Sequence, residues 1–131
     1  MSIQKKIPRK VWWGLEAKSY TEIAQELPSN DSSIRKWAAI YAVYHLNFEN
    51  RYPGERYYSF LEESKNSKFV FIEFTLPTHV LETRDSIGAS DTTITKLQTL
   101  ETEDEINDFL EENQINPELF TPPWNCDYPL D

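Results

Sequence analysis

Two histidines, one cysteine and 22 acidic side chains are the groups in this 131-residue chain best suited to chemistry. Cys126 with His79 would form a thiolate–imidazole pair, the imidazole taking the thiol proton. No motif joins them. His45 falls within a long apolar run, and His79 follows Pro77 at the end of another. Carboxylate couples can act as acid and base on a glycosidic bond, but the acids here are too numerous to single out a pair. No His, Cys and Asp stand at metal-ligand spacing, and no Asp-rich loop carries the glycine of a calcium site. Gly14, Gly54 and Gly88 are too few to cradle a phosphate. Trp12-Trp13 would offer bases a stacking platform, although one ring of such a pair usually enters a core. The residues therefore name no catalytic group, no cofactor and no metal, and the expected class is non-enzymatic.

Charge is the stronger signal. Residues 1–51 hold eight Lys/Arg against five Asp/Glu, whereas residues 52–131 hold five against seventeen, within a net charge of −9. Such a division suits a protein that recognises other macromolecules. Aromatic residues make up 14 % of the chain, and each ring buries about 150–250 Å², enough to supply a core where aliphatic residues are lean. The length suits one domain over 1–131, with a basic helical part (about 1–51) and an acidic strand-and-helix part (about 52–131). No apolar run is long enough to span a bilayer and no apolar segment follows the basic N-terminus, so neither membrane insertion nor a signal peptide is expected. With Cys126 alone, no internal disulfide is possible, and a cytoplasmic setting is the default.

The elements that would position these residues read as an α+β fold. Pro8 opens a short helix to about Lys18, with Val11, Trp12 and Leu15 inward. Ser19-Tyr20-Thr21-Glu22 has the form of a capping box, and Ile23, Ala24 and Leu27 then suggest a second helix stopped by Pro28. After Asn30 or Asp31, the spacing of Ile34, Trp37, Tyr41, Tyr44 and Phe48 predicts a third helix, apolar all round and ended by Asn50–Gly54. Tyr57 to Glu63 is ambiguous between strand and helical turn. Phe69–Leu76 reads as a central strand, Val80–Arg84 as a shorter one, Ser86–Asp91 as a loop and Thr92–Leu100 as an exposed strand. Thr102-Glu103-Asp104-Glu105 is another capping box, opening an acidic helix to about Gln114 with Ile106, Phe109 and Leu110 inward. Pro117, Pro122, Pro123 and Pro129 exclude regular structure beyond it, leaving Phe120, Trp124 and Tyr128 to anchor a tail. The expected architecture is thus N-terminal helices on a small antiparallel sheet, one acidic C-terminal helix and a Pro-rich tail.

The stretch Tyr20–Ala39, YTEIAQELPSNDSSIRKWAA, resembles the two-helix core of helix–turn–helix DNA-binding proteins. The resemblance rests on Ile23, Ala24 and Leu27 in the first helix and on Ser33, Ile34, Arg35 and Trp37 in the second. It implies a DNA-binding regulator with Asn30, Ser32, Ser33, Arg35 and Lys36 facing the groove, and Lys5, Lys6, Arg9 and Lys10 on phosphates. The acidic half opposes that role, because it repels phosphates over a Debye length of about 8 Å at physiological salt.

The leading expectation is instead a small acidic binding protein, acting as an adaptor, inhibitor or antitoxin-like regulator on a partner with a basic surface. Glu105, Asp108, Glu111 and Glu112, with Phe120 and Trp124 as aromatic anchors, are the candidate interface residues. A DNA-mimicking inhibitor is a further alternative, since it too would be acidic and aromatic.

Overall fold

In a computed structural model, residues 4–46, 58–83 and 91–130 are described. They form an antiparallel sheet of four strands in the order β1-β2-β3-β4, where β1 is Glu22–Leu27, β2 is Ile34–Ala42, β3 is Phe69–Pro77 and β4 is Thr93–Leu100. Four helices accompany it: α1 (Arg9–Glu16), α2 (Ser59–Glu63), α3 (Thr78–Thr83) and α4 (Glu103–Glu112). The α+β class, the acidic helix near the C-terminus and an irregular tail are as expected from the sequence.

Two of the expected N-terminal helices are strands. The segment 20–39 is a β-hairpin, with Glu22 opposite Tyr41 and Leu27 opposite Lys36, so the helix–turn–helix reading is overturned. The reason is burial on both sides of the sheet. Along β2, Trp37, Ala39 and Tyr41 face one way and Ala38, Ile40 and Ala42 the other, and all six are buried. A strand covered on both faces loses its polar–apolar alternation, and its apolar run mimics a buried helix. Between β1 and β2, the Asp31 carboxylate accepts hydrogen bonds from Ser33 N and Oγ at 2.9 and 2.6 Å, so it shapes a loop instead of capping a helix. Val80–Thr83 belongs to α3 and is not a strand; Arg84 lies outside the described residues, as do Phe48, Asn50–Gly54, Tyr57 and the greater part of the Ser86–Asp91 loop. Ser59–Glu63 is helical.

One face of the sheet carries Ile23, Ile40 and Phe71 beneath α1 and α4, whose Trp12, Leu15, Ile106 and Leu110 complete that layer. The other carries Trp37, Ile72 and Phe74, covered by Phe60 and Leu61 of α2 and by Leu130 of the tail. Trp37 and Phe74 stack at 6.2 Å between centroids. Both longer helices end in a Schellman motif without glycine. Lys18 (φ 65°) and Gln114 (φ 58°) are left-handed, and Ser19 N and Ile115 N donate back to Gly14 O and Leu110 O at 2.9 Å each. Gly14 is needed for another reason: a Cβ there would lie 2.2 Å from the Tyr20 hydroxyl, which donates to Val11 O at 2.6 Å.

The tail crosses one edge of the sheet and bridges it at a single residue. After a 3-10 turn at Pro117–Leu119, Phe120 enters the core, and Thr121 exchanges two backbone hydrogen bonds with Ala24 of β1 at 2.9 and 3.1 Å. A second 3-10 turn, Pro123–Asn125, carries the chain round to the other face. There Trp37 Nε1 donates to Cys126 O at 3.3 Å, and the hydroxyls of Tyr41 and Tyr128 meet at 2.6 Å.

Candidate functional site: an acidic groove along the β4 edge

Thr102 caps α4 through its hydroxyl, which accepts from Glu105 N at 3.1 Å, while the Glu105 carboxylate reaches back to Glu101 N at 3.2 Å. Glu103, Asp104 and Glu105 occupy the first turn, where the helix dipole favours negative charge. Ile106 and Leu110 turn into the sheet, and Phe109 packs edge-on against Phe71 at 4.9 Å. That orientation fixes which acids face outward. Asp104, Glu105, Asp108, Glu111 and Glu112 are all exposed.

Three of them line one groove. Glu105, Asp108 and Glu112, with Phe109, face Gln98, Thr99 and Leu100 of β4 across an open cleft of about 300 Å³. Its lining contains no Lys, Arg or His. Among the described residues, the ion pairs are Arg9 with Glu103 and Arg35 with Glu26, and neither touches this groove. The Gln4 amide donates to Asp108 and Glu111 at 2.8 and 2.9 Å, and Glu111 lines a separate cleft with Gln4, Lys5 and Ile115. Glu111 therefore stands on the neighbouring flank of the helix.

The two aromatic candidates lie elsewhere. Phe120 is 2 % exposed and serves the core, so it has no surface to offer a partner. Trp124 is 65 % exposed, but it packs edge-on to Tyr20 at 5.6 Å beside β1, on the opposite edge of the sheet from the acidic groove. The aromatic ring that does adjoin the acids is Phe109, which sequence periodicity assigns wholly to the core. Its position between core and groove follows from the register of α4 over β3 and β4.

The residues of the helix–turn–helix resemblance sit on the β1–β2 loop and the start of β2. Asn30, Ser32 and Ser33 belong to the loop, and Lys36 pairs with Leu27. Arg35 is engaged on both sides: its Nε and one terminal nitrogen donate to Glu26 at 2.8 Å each, and its guanidinium lies 4.7 Å from the Trp37 ring centroid. The hydrogen bonds from Arg35 hold the Glu26 carboxyl below its ordinary range. On the N-terminal segment, Arg9 is paired with Glu103.

Cys126 and His79 lie on different elements, the tail beside β1 and the exposed surface of α3. Burial pushes the Cys126 thiol up to about 11, so it is protonated at neutral pH, and its Sγ donates to Pro123 O at 3.6 Å. Among the described residues, no three His, Cys, Asp or Glu gather as metal ligands, and no helix is long and apolar enough to cross a membrane. No protein-family model matches the chain, and neither the curated proteins nor the solved structures yield a significant match to it.

Proposed function

We propose that this protein is a small acidic binding protein, an adaptor, inhibitor or antitoxin-like regulator, that docks the α4–β4 groove on a basic surface of a protein partner. The observation that carries the reading is the set Glu105, Asp108 and Glu112, gathered beside Phe109 on one rigid helix with no cation in the groove lining. Clustered charge of one sign in a cleft focuses the field and raises the rate of encounter with an oppositely charged ligand. Phe109 adds apolar contact next to those charges, the composition of a small interface centre.

Titration with fluorescently labelled Lys/Arg-rich peptides tests this. Glu105→Lys combined with Glu112→Lys should lower the association rate on the order of tenfold at low salt and flatten its salt dependence. Glu63→Lys with Glu82→Lys makes the same change in net charge at exposed positions of other helices and should leave most of the rate intact. Equal losses in both variants would assign the attraction to overall charge and remove the groove from the account.

A further inference from the structure

We infer that the partner binds as an extended segment of alternating basic and apolar residues that adds a fifth strand to the sheet along β4; this rests on the acidic groove being the docking site. The two edges of the sheet are treated differently. β1 is bridged by the tail at one residue, through the Ala24–Thr121 hydrogen bonds, and flanked by the Pro123–Asn125 turn, whereas β4 pairs with β3 alone among the described residues. An open edge presents a row of backbone donors and acceptors ready for another strand.

The usable part of that edge is defined by a bulge. The register slips at Glu73/Phe74, and the Thr95 hydroxyl is held by the Glu73 carboxylate at 2.6 Å. Beyond it, Lys96–Leu100 pairs residue for residue with Glu73–Phe69, giving five regular positions. On one face of this stretch, Glu105, Asp108 and Glu112 line the groove with Gln98 and Leu100. On the other face, Leu97 and Ile94 are 40 % and 38 % exposed, in cross-strand rows with the buried Ile72 and Phe74. The cation on this strand, Lys96, shares the face of Gln98 and Leu100 but lies outside the groove lining, its ammonium donating at 2.7 Å to the Asn113 side chain, one residue beyond Glu112.

An added strand would therefore meet carboxylates on one side and aliphatic surface on the other. Side chains of a strand alternate between faces, so its sequence should alternate Lys/Arg with Val, Ile or Leu. A second copy of this chain fits less well. It carries −9 overall, and pairing β4 with β4 would bring a second acidic helix to the same edge.

The test uses a nine-residue peptide of alternating Arg and Val with blocked ends, and the same peptide N-methylated along its backbone. Amide hydrogen exchange and fluorescence anisotropy are read together. Strand addition predicts that the unmodified peptide slows exchange within Lys96–Leu100, and that N-methylation weakens binding at least tenfold while the charge is unchanged. Equal binding of both peptides without protection of β4 overturns strand addition and leaves acidic docking standing. Binding of neither peptide removes both. Protection of β4 in the free protein together with a dimer in sedimentation would assign the edge to a second copy and overturn the inference.

Discussion

The contact between Tyr41 and Tyr128 ties the tail to the sheet, and it can be probed by substitution and by raising the pH. Its hydroxyls share a hydrogen bond of 2.6 Å, Tyr41 is 4 % exposed, and burial holds both phenols well above their ordinary value of 10.0. Tyr128→Phe leaves the Tyr41 hydroxyl without this partner inside the protein, which should cost about 1–3 kcal/mol. Tyr41→Phe should cost a similar amount by stranding Tyr128. The double variant removes both polar groups and should recover much of the loss, giving a coupling of about 1–2 kcal/mol in a double-mutant cycle. The pH dependence follows from the same burial. In the unfolded chain these tyrosines ionise near pH 10, while in the folded protein they stay protonated. Above pH 10 the unfolded state therefore binds fewer protons, and stability falls with a slope that approaches about 1.4 kcal/mol per pH unit for each phenol. Below pH 10 their contribution is fully present. Cys126 adds a loss of the same sign that begins earlier, near its ordinary 9.0. Urea unfolding at pH 8, 9, 10 and 11, with tyrosinate absorbance followed in parallel, separates them. The wild type should lose stability between pH 10 and 11 by about 2 kcal/mol more than the double Phe variant, because each phenol of the unfolded chain is only half ionised at pH 10. Equal slopes in the two proteins, or additive effects of the single substitutions, would refute a buried, shared hydroxyl contact.

Three further outcomes follow from the packing. Gln114→Gly should raise stability by about 1 kcal/mol, because the left-handed backbone there costs a non-glycine residue about that much; thermal unfolding checks it. Asn107 is 1 % exposed on the inner side of α4, and neither amide atom has a hydrogen-bond partner among the described residues, so Asn107→Leu should stabilise by about 1–3 kcal/mol, and a lowered melting temperature would contradict an unpaired amide. Gly14→Ala should destabilise by displacing Tyr20 from Val11 O, and the loss should shrink in a Tyr20→Ala background, measured by the same unfolding assay.

The sequence was most readable where local chemistry decides structure. Thr102 caps α4 as its capping-box pattern predicts, and the periodicity of Ile106 and Leu110 orients the acids outward. Phe69–Leu76 reads as a strand because its β-branched and aromatic residues suit no other element so well, and the prolines of the tail exclude regular structure. In the N-terminal half, α1 was legible from Pro8 and from the inward Trp12 and Leu15, whereas residues 20–42 were opaque for a physical reason. Ile34, Trp37 and Tyr41 recur at helical intervals only by coincidence, and burial on both faces erases the alternation that would reveal β2. Ser19–Glu22 matches a capping box, yet pairing of β1 with β2 overrides that local preference. The acids of the groove were legible from α4 alone, but their neighbour was not. That β4 ends the sheet among the described residues is a property of strand order, which no local spacing encodes. The same holds for Phe120 and Trp124, four residues apart, one sealed in the core and the other beside β1.

Chemical-shift mapping of the isotope-labelled protein during titration with a Lys/Arg-rich peptide asks most directly where recognition occurs. Shifts concentrated at Gln98–Leu100, Glu105, Asp108, Phe109 and Glu112, saturating together and weakening with salt, are the predicted result. Shifts centred on Tyr20 and Trp124, or none at low salt, would contradict it.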